Sequence, residues 1–226
     1  MSTSSQSYPM SGGEDLHSYI HNSSYQKAAI DSLQEKRRLY ILEKIDLLSL
    51  KTGLSTFTIA DFGCSVGPNT FHAVQNIIDA VKLKHMKENT VLTQPPSSER
   101  EYFSVGVPGS FYGRVLPRNS IHVGHTSYTI HWLSKVPEHV CEKKSPAWNK
   151  KYIQCNNLIE EAAKAYKIQF TKDMSTFLEA RAAEIVPGGL MILQGQCLPD
   201  GVLMSETWEG IVIDTIGDCL MDMEKS

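Results

Sequence analysis

The stretch Thr58-Ile59-Ala60-Asp61-Phe62-Gly63-Cys64-Ser65-Val66-Gly67-Pro68-Asn69 reads as a short buried strand, a glycine turn and the start of a helix. Glycines at 63 and 67 leave no Cβ between the main chain and a ligand. Asp61 sets a carboxylate at the end of the strand, where open α/β sheets bind their ligands. The spacing is Asp-x-Gly-x-x-x-Gly. A dinucleotide fingerprint has Gly-x-Gly-x-x-Gly and an acid about 20 positions further on. An acid ahead of the glycines suits a ligand with a positive amine better than one with a pyrophosphate.

Downstream of the turn, Thr70 to Lys84 has the apolar face of a helix in Phe71, Val74, Ile77, Ile78, Val81 and Leu83. A βαβ unit then requires a second strand, often with an acid at its tip. The sequence offers only Thr90 to Thr93, running into Pro95-Pro96. Phe103 to Val107 reads as a strand closed by a turn over 108–113. Ile121 to His125 reads as a buried strand feeding the polar and aromatic run 126–134, and 136–156 is loop-like. A long amphipathic helix from Asn157 to about Ile185 meets the turn Val186-Pro187-Gly188-Gly189 and the strand Leu190 to Leu193, an αβ step of a doubly wound sheet. A last helix covers Glu206 to Met223. Upstream, the pattern from Ser18 to about Ser49 is helical, and Tyr19, Ser23 and Gln26 share a polar face of it. His17 and His21 also share a face, but no third metal ligand is near them. Residues 1–17 read as a mobile tail and 18–226 as one domain.

The totals narrow the function. With 226 residues, 41% of them hydrophobic and 21% charged, the chain has material for a sizeable core. A net charge of −3 gives no electrostatic footprint for nucleic acid. The five cysteines are scattered and form no Cys-x-x-Cys pair, so neither a disulfide framework nor a thiolate zinc site is indicated, and a reducing cytoplasm is the expected compartment. The opening residues lack the apolar core of a signal peptide, and no run of 18 apolar residues occurs, so neither secretion nor a membrane partner is expected.

Six blocks in order resemble the SABATH family of plant small-molecule methyltransferases: Met10 to Gly13 with Ser18 to Ser23, Ala60 to Phe71, GVPGSFYGR at 106–114, SYTIHWLS at 127–134, Trp148-Asn149-Lys150, and Ala165 to Gly189. Within the family, Gly201 to Ile216 is most similar to the farnesoic acid type. The resemblance implies a Rossmann-like doubly wound α/β sheet of the class I methyltransferase type. It implies S-adenosylmethionine as cofactor and the carboxylate of a small molecule as methyl acceptor. By position, it implies that Tyr19, Ser23, Asp61, Gly63, Cys64, Asn69, Ser110 and Phe111 hold the cofactor, with Phe111 against the adenine. Gln26, Tyr128, His131 and Trp132 would hold the acceptor, and Asn149 would be one ligand of a magnesium ion. The alternative readings are Tyr128 and Trp132 as core aromatics, Cys64 as a small packing residue near the ligand and Asn149 as a loop amide.

Two departures from the family pattern bear on activity. A strand ending in Asn-Asp, followed by Asn-Asp-Phe-Asn, is replaced here by Val91 to Arg100, so the acid that grips the ribose has no counterpart. The chain also stops before the family's C-terminus, so an incomplete sheet and cap, a truncated form and reduced activity are expected. Three readings stay open: a carboxyl methyltransferase, a non-catalytic partner in a homodimer or heterodimer with full-length relatives, and a nicotinamide-dependent oxidoreductase. The absent third glycine argues against the last.

Overall fold

In the computed structural model the described residues are 11–51, 56–88, 102–148, 155 and 159–225. They fall into two compact units: 11–130 with 176–195, and 131–175 with 196–225.

The first unit is built on three parallel strands in the order β1 (Ile59–Asp61), β2 (Ile121–Ser127) and β3 (Ile185–Gln194). β2 is buried along nearly its whole length, as the central strand of a parallel sheet must be when elements cover both faces. Its neighbours are in register at Ile59 with Val123, Asp61 with His125, Val123 with Leu190 and Ser127 with Gln194. Ile59, Val123, Leu190 and Ile192 meet the helices α2 (Gln34–Lys44) and α3 (Asn69–Lys87). The core formed there contains Ile41, Ile45, Leu47, Leu50, Ile77, Ala80 and Val81. Each aliphatic side chain buried in this way contributes about 1.5–3 kcal/mol. The strand, glycine turn and helix over 58–87 are therefore anchored at both ends, and the turn between them is held in place.

Three expectations change. The single helix over 18–49 is two, α1 (Ser24–Ser32) and α2, broken at Leu33. The carbonyls of α1's last turns are taken by side chains: Ser32 Oγ and Gln194 Nε2 donate to Ala29 O, and Arg37 Nη2 donates to Ile30 O. Residues 103–107 form no strand: among the described residues nothing pairs with them, and their apolar side chains face solvent, with Phe103 93% and Val105 84% exposed. The Pro187-Gly188-Gly189 turn lies inside β3, where the register with β2 shifts between Ile121 and Val123, so it acts as a bulge. The weak strand expected at 90–93 lies outside the described residues.

In the second unit, the N-terminal part of α4 (Glu160–Glu184) meets the end of the polar and aromatic run. Asp173, buried, accepts from Ser134 N–H at 2.9 Å and Ser134 Oγ at 2.6 Å, and Gln169 Nε2 donates to the same carboxylate at 2.9 Å. A short 3-10 turn (Met204–Glu206) leads into α5 (Trp208–Lys225), which exposes Trp208, Ile211, Ile216 and Met223.

Candidate functional site

Asp61 ends β1 with both oxygens engaged. His125 on the adjacent strand places Nδ1 2.8 Å from Oδ1, and Thr70, in the first turn of α3, donates its hydroxyl to Oδ2. Parallel pairing makes the first contact possible, since Asp61 and His125 are register partners. Arg37 carries a third influence. Its buried guanidinium donates to Gln194 Oε1 at 2.8 Å; burial lowers its pKa, while Asp31 and Asp61 partly restore it.

Beyond Asp61 the chain turns with positive φ at Gly63 (+76°) and Gly67 (+111°). The room left by the missing side chains is used by the protein itself. A Cβ at Gly63 would lie 2.0 Å from Thr129 Cγ2 and 3.2 Å from Phe111 Cδ1; one at Gly67 would lie 3.2 Å from Ile20 Cγ1. Both glycines also seat Thr129, Phe111 and the segment around Ile20 against the turn. Asn69, buried at the start of α3, donates from Nδ2 to Ser23 O at 3.2 Å, which draws the segment carrying Tyr19 and Ser23 over the same turn. Cys64 is exposed as a residue, yet desolvation and then the nearby Asp61 push its thiol pKa up.

Phe111 reaches the turn from the 106–114 block. A buried ion pair fixes that block. Arg181 donates to Phe111 O at 2.6 Å and Gly113 O at 2.8 Å, while Glu184 accepts from Val115 N–H at 2.6 Å and Leu116 N–H at 2.7 Å. The two charges meet at 2.7 Å with side-chain exposures of 2% and 0%. The Arg181 guanidinium also lies 3.9 Å from the centre of the Phe62 ring, and Phe177 stands edge-on to both Phe62 and Phe111 at 6.3 Å. The bend at 61–69 and the ring at 111 therefore form one region, with Ser110 exposed beside it.

The structure places Tyr19, Ser23, Asp61, Gly63, Cys64, Asn69, Ser110 and Phe111, the eight expected cofactor residues, in the first unit. Gln26 and Tyr128 of the expected acceptor set belong there too. Gln26 has a buried Oε1 without a partner among the described residues. Tyr128 takes the left-handed conformation (φ 54°), donates its N–H to Gln194 O at 2.9 Å and lies 6.4 Å from Tyr25, edge to face. His131 and Trp132 belong to the second unit, where their rings lie 5.8 Å apart and burial lowers the pKa of His131. Asn149 lies outside the described residues. Among the described residues no group of three or more His, Cys, Asp or Glu side chains is placed to hold a metal. A cavity of about 460 Å³ between α2 and β3, lined by Arg37, Tyr40 and Leu193 among others, contains none of the expected site residues.

The sequence reading missed Thr70, His125, Thr129, Arg181 and Glu184. Only one signal was available for His125: a polar side chain at the end of the expected buried strand 121–125, next to the strand that ends in Asp61. Arg181 and Glu184 looked like ordinary helix charges three residues apart.

A parallel sheet whose first strand ends in an acid and a glycine turn, with an aromatic ring against that turn, is the layout of Rossmann-like α/β proteins that hold a nucleoside-bearing ligand at their strand ends. The family model described as SAM dependent carboxyl methyltransferase matches residues 5–97 and 87–226, and the chain belongs to that family, the SABATH methyltransferases. It is 71% identical to a probable S-adenosylmethionine-dependent methyltransferase of Arabidopsis thaliana over 248 residues, which cover 99% of this chain and 69% of that protein. It is 44% identical to loganic acid O-methyltransferase of Catharanthus roseus, covering 98% of this chain and 65% of that one. A solved loganic acid methyltransferase with SAH matches with a TM-score of 0.84 at 44% identity, covering 96% of this chain and 67% of the other. An alignment of 248 positions against a chain of 226 leaves at least 22 positions of the first relative with no residue opposite them. The two stretches of the family match overlap at 87–97, within the region where the sequence departs from the family pattern.

Proposed function

We propose that the chain binds S-adenosylmethionine across the 61–69 turn and serves methyl transfer to the carboxylate of a small-molecule acid, with donor affinity lowered by the gap at 87–97. The convergence of Asp61, Asn69, Ser23 and Phe111 on one turn is the observation that carries this reading. Asp61 faces the donor's amino group, Ser23, Cys64 and Asn69 border its methionine end, and Phe111 with Ser110 receives the adenine. Bound S-adenosylmethionine supplies a methyl group on a sulfonium, open to in-line displacement. A carboxylic acid with an ordinary pKa of about 4 is already ionised at neutral pH, so no side chain has to act as general base. The residues instead align the reacting atoms and exclude water, which together supply roughly 7–11 kcal/mol of a barrier of this kind. Acceptor contact by Gln26, Tyr128, His131 and Trp132 is proposed for each residue from its place in the family pattern. The related loganic and farnesoic acid enzymes point to hormone-like or terpenoid acids. The five free cysteines suit the reducing cytoplasm proposed as its location.

Without the acid that grips the ribose, the donor loses one hydrogen bond to a charged acceptor, worth about 1.5–3 kcal/mol or roughly 10- to 150-fold in affinity. The same gap favours a second reading, in which the chain is a non-catalytic partner of a longer relative in a dimer. Incubation with labelled S-adenosylmethionine and a panel of small carboxylic acids separates the two. Methyl ester formation by the purified chain supports the enzyme. No ester, together with co-purification of a longer relative, supports the partner.

A further inference from the structure

Asp61 is oriented by a residue that no part of the family pattern assigned. His125 is fully buried on β2, and its backbone carbonyl accepts from Phe62 N–H at 2.8 Å, which locks the two strand ends together. Its Nδ1 lies 2.8 Å from Asp61 Oδ1, and because a carboxylate only accepts, Nδ1 carries the proton. Nε2 is buried and has no partner among the described residues. An apolar ring would fill this space without leaving a bare nitrogen, so packing alone does not account for a histidine here. With Thr70 holding Oδ2 from the other side, both oxygens are held, each keeps acceptor capacity for a further donor, and the Asp61 side chain is 13% exposed.

We infer that His125 is a positioning residue for the methyl donor: its Nδ1–H fixes the Asp61 carboxylate in the orientation that accepts from the donor's amino group. The inference rests on the reading of Asp61 as the contact for that amine. The test is calorimetric titration of S-adenosylhomocysteine into the whole chain and its variants, with thermal midpoints taken alongside. His125→Asn keeps a donor at the Nδ1 position, whereas His125→Gln moves it to the Nε2 position and His125→Phe removes it. The expected result is binding about 10-fold weaker in the Phe and Gln variants, near wild-type binding in the Asn variant, and no further loss when His125→Phe is added to Asp61→Asn. Equal weakening of the Asn and Gln variants, binding unchanged in all three, or losses that multiply in the double variant would overturn it. If His125→Phe does not fold, the comparison of Asn with Gln decides. If Asp61→Asn binds like wild type, or the wild-type chain does not bind at all, the reading of Asp61 fails first and the inference with it.

Discussion

His122 ties pH to stability through one side chain. It is buried, stacks on Phe57 at 4.8 Å, and its Nδ1 accepts from the Thr58 N–H at 3.0 Å. Burial lowers its pKa below the usual 6.5, and a proton on Nδ1 would also break the bond to Thr58. Between the folded pKa and 6.5 the unfolded chain binds the proton and the folded chain does not. The stabilisation is therefore complete above about pH 6.5 and is lost as pH falls toward the folded value, with a slope of at most about 1.4 kcal/mol per pH unit for one proton. Thermal midpoints measured from pH 7.5 to 5 should fall, and fall less in His122→Asn, which keeps an acceptor for Thr58 but does not titrate. Identical profiles would contradict this. At this scale the sequence was legible where a residue sits next to the glycine turn in the chain, as Asp61 and Asn69 do. It was silent on contacts that come from pairing across strands: that of His125 with Asp61 spans 64 positions and depends on strand register.

The pair Arg181–Glu184 holds the 110–116 segment to the end of α4, so one helix turn sets the position of the ring at 111. Removing one charge leaves the other buried and unpaired. Glu184→Gln should cost about 3–5 kcal/mol in urea denaturation, and a loss under about 1 kcal/mol would contradict the role given to the pair. The elements most legible in the sequence were those with sustained periodicity: α3 was expected from Thr70 to Lys84 and runs Asn69–Lys87, and β2 was expected at 121–125 and runs Ile121–Ser127. Residues 103–107 show the limit of such patterns, since alternating Phe103, Val105 and Val107 make a strand only if another strand offers a ladder. The break at Leu33 is equally hidden, because the groups that take up α1's carbonyls come from α2 and β3.

At the scale of the whole molecule, the chain belongs to the methyltransferase family and covers 69% of the length of its 71%-identical relative; on the proposed reading it keeps the turn that would hold the donor's methionine end and adenine and lacks the acid that would grip the ribose. The family was legible because its motifs are short and local to the turns they form. The division into two units was not, since it falls within the single helix α4 and leaves no mark in composition. Donor binding at the 61–69 turn is the claim on which the account depends. Its most direct test is the dissociation constant of S-adenosylhomocysteine measured by titration calorimetry for the chain and for Phe111→Ala. The account predicts measurable binding, roughly 10- to 150-fold weaker than that of a relative with the ribose acid, and a further loss of about 10-fold when the ring is removed, since stacking of a base on an aromatic side chain is worth about 1–3 kcal/mol. Equal affinity in the two proteins, or no binding to the unaltered chain, would contradict it.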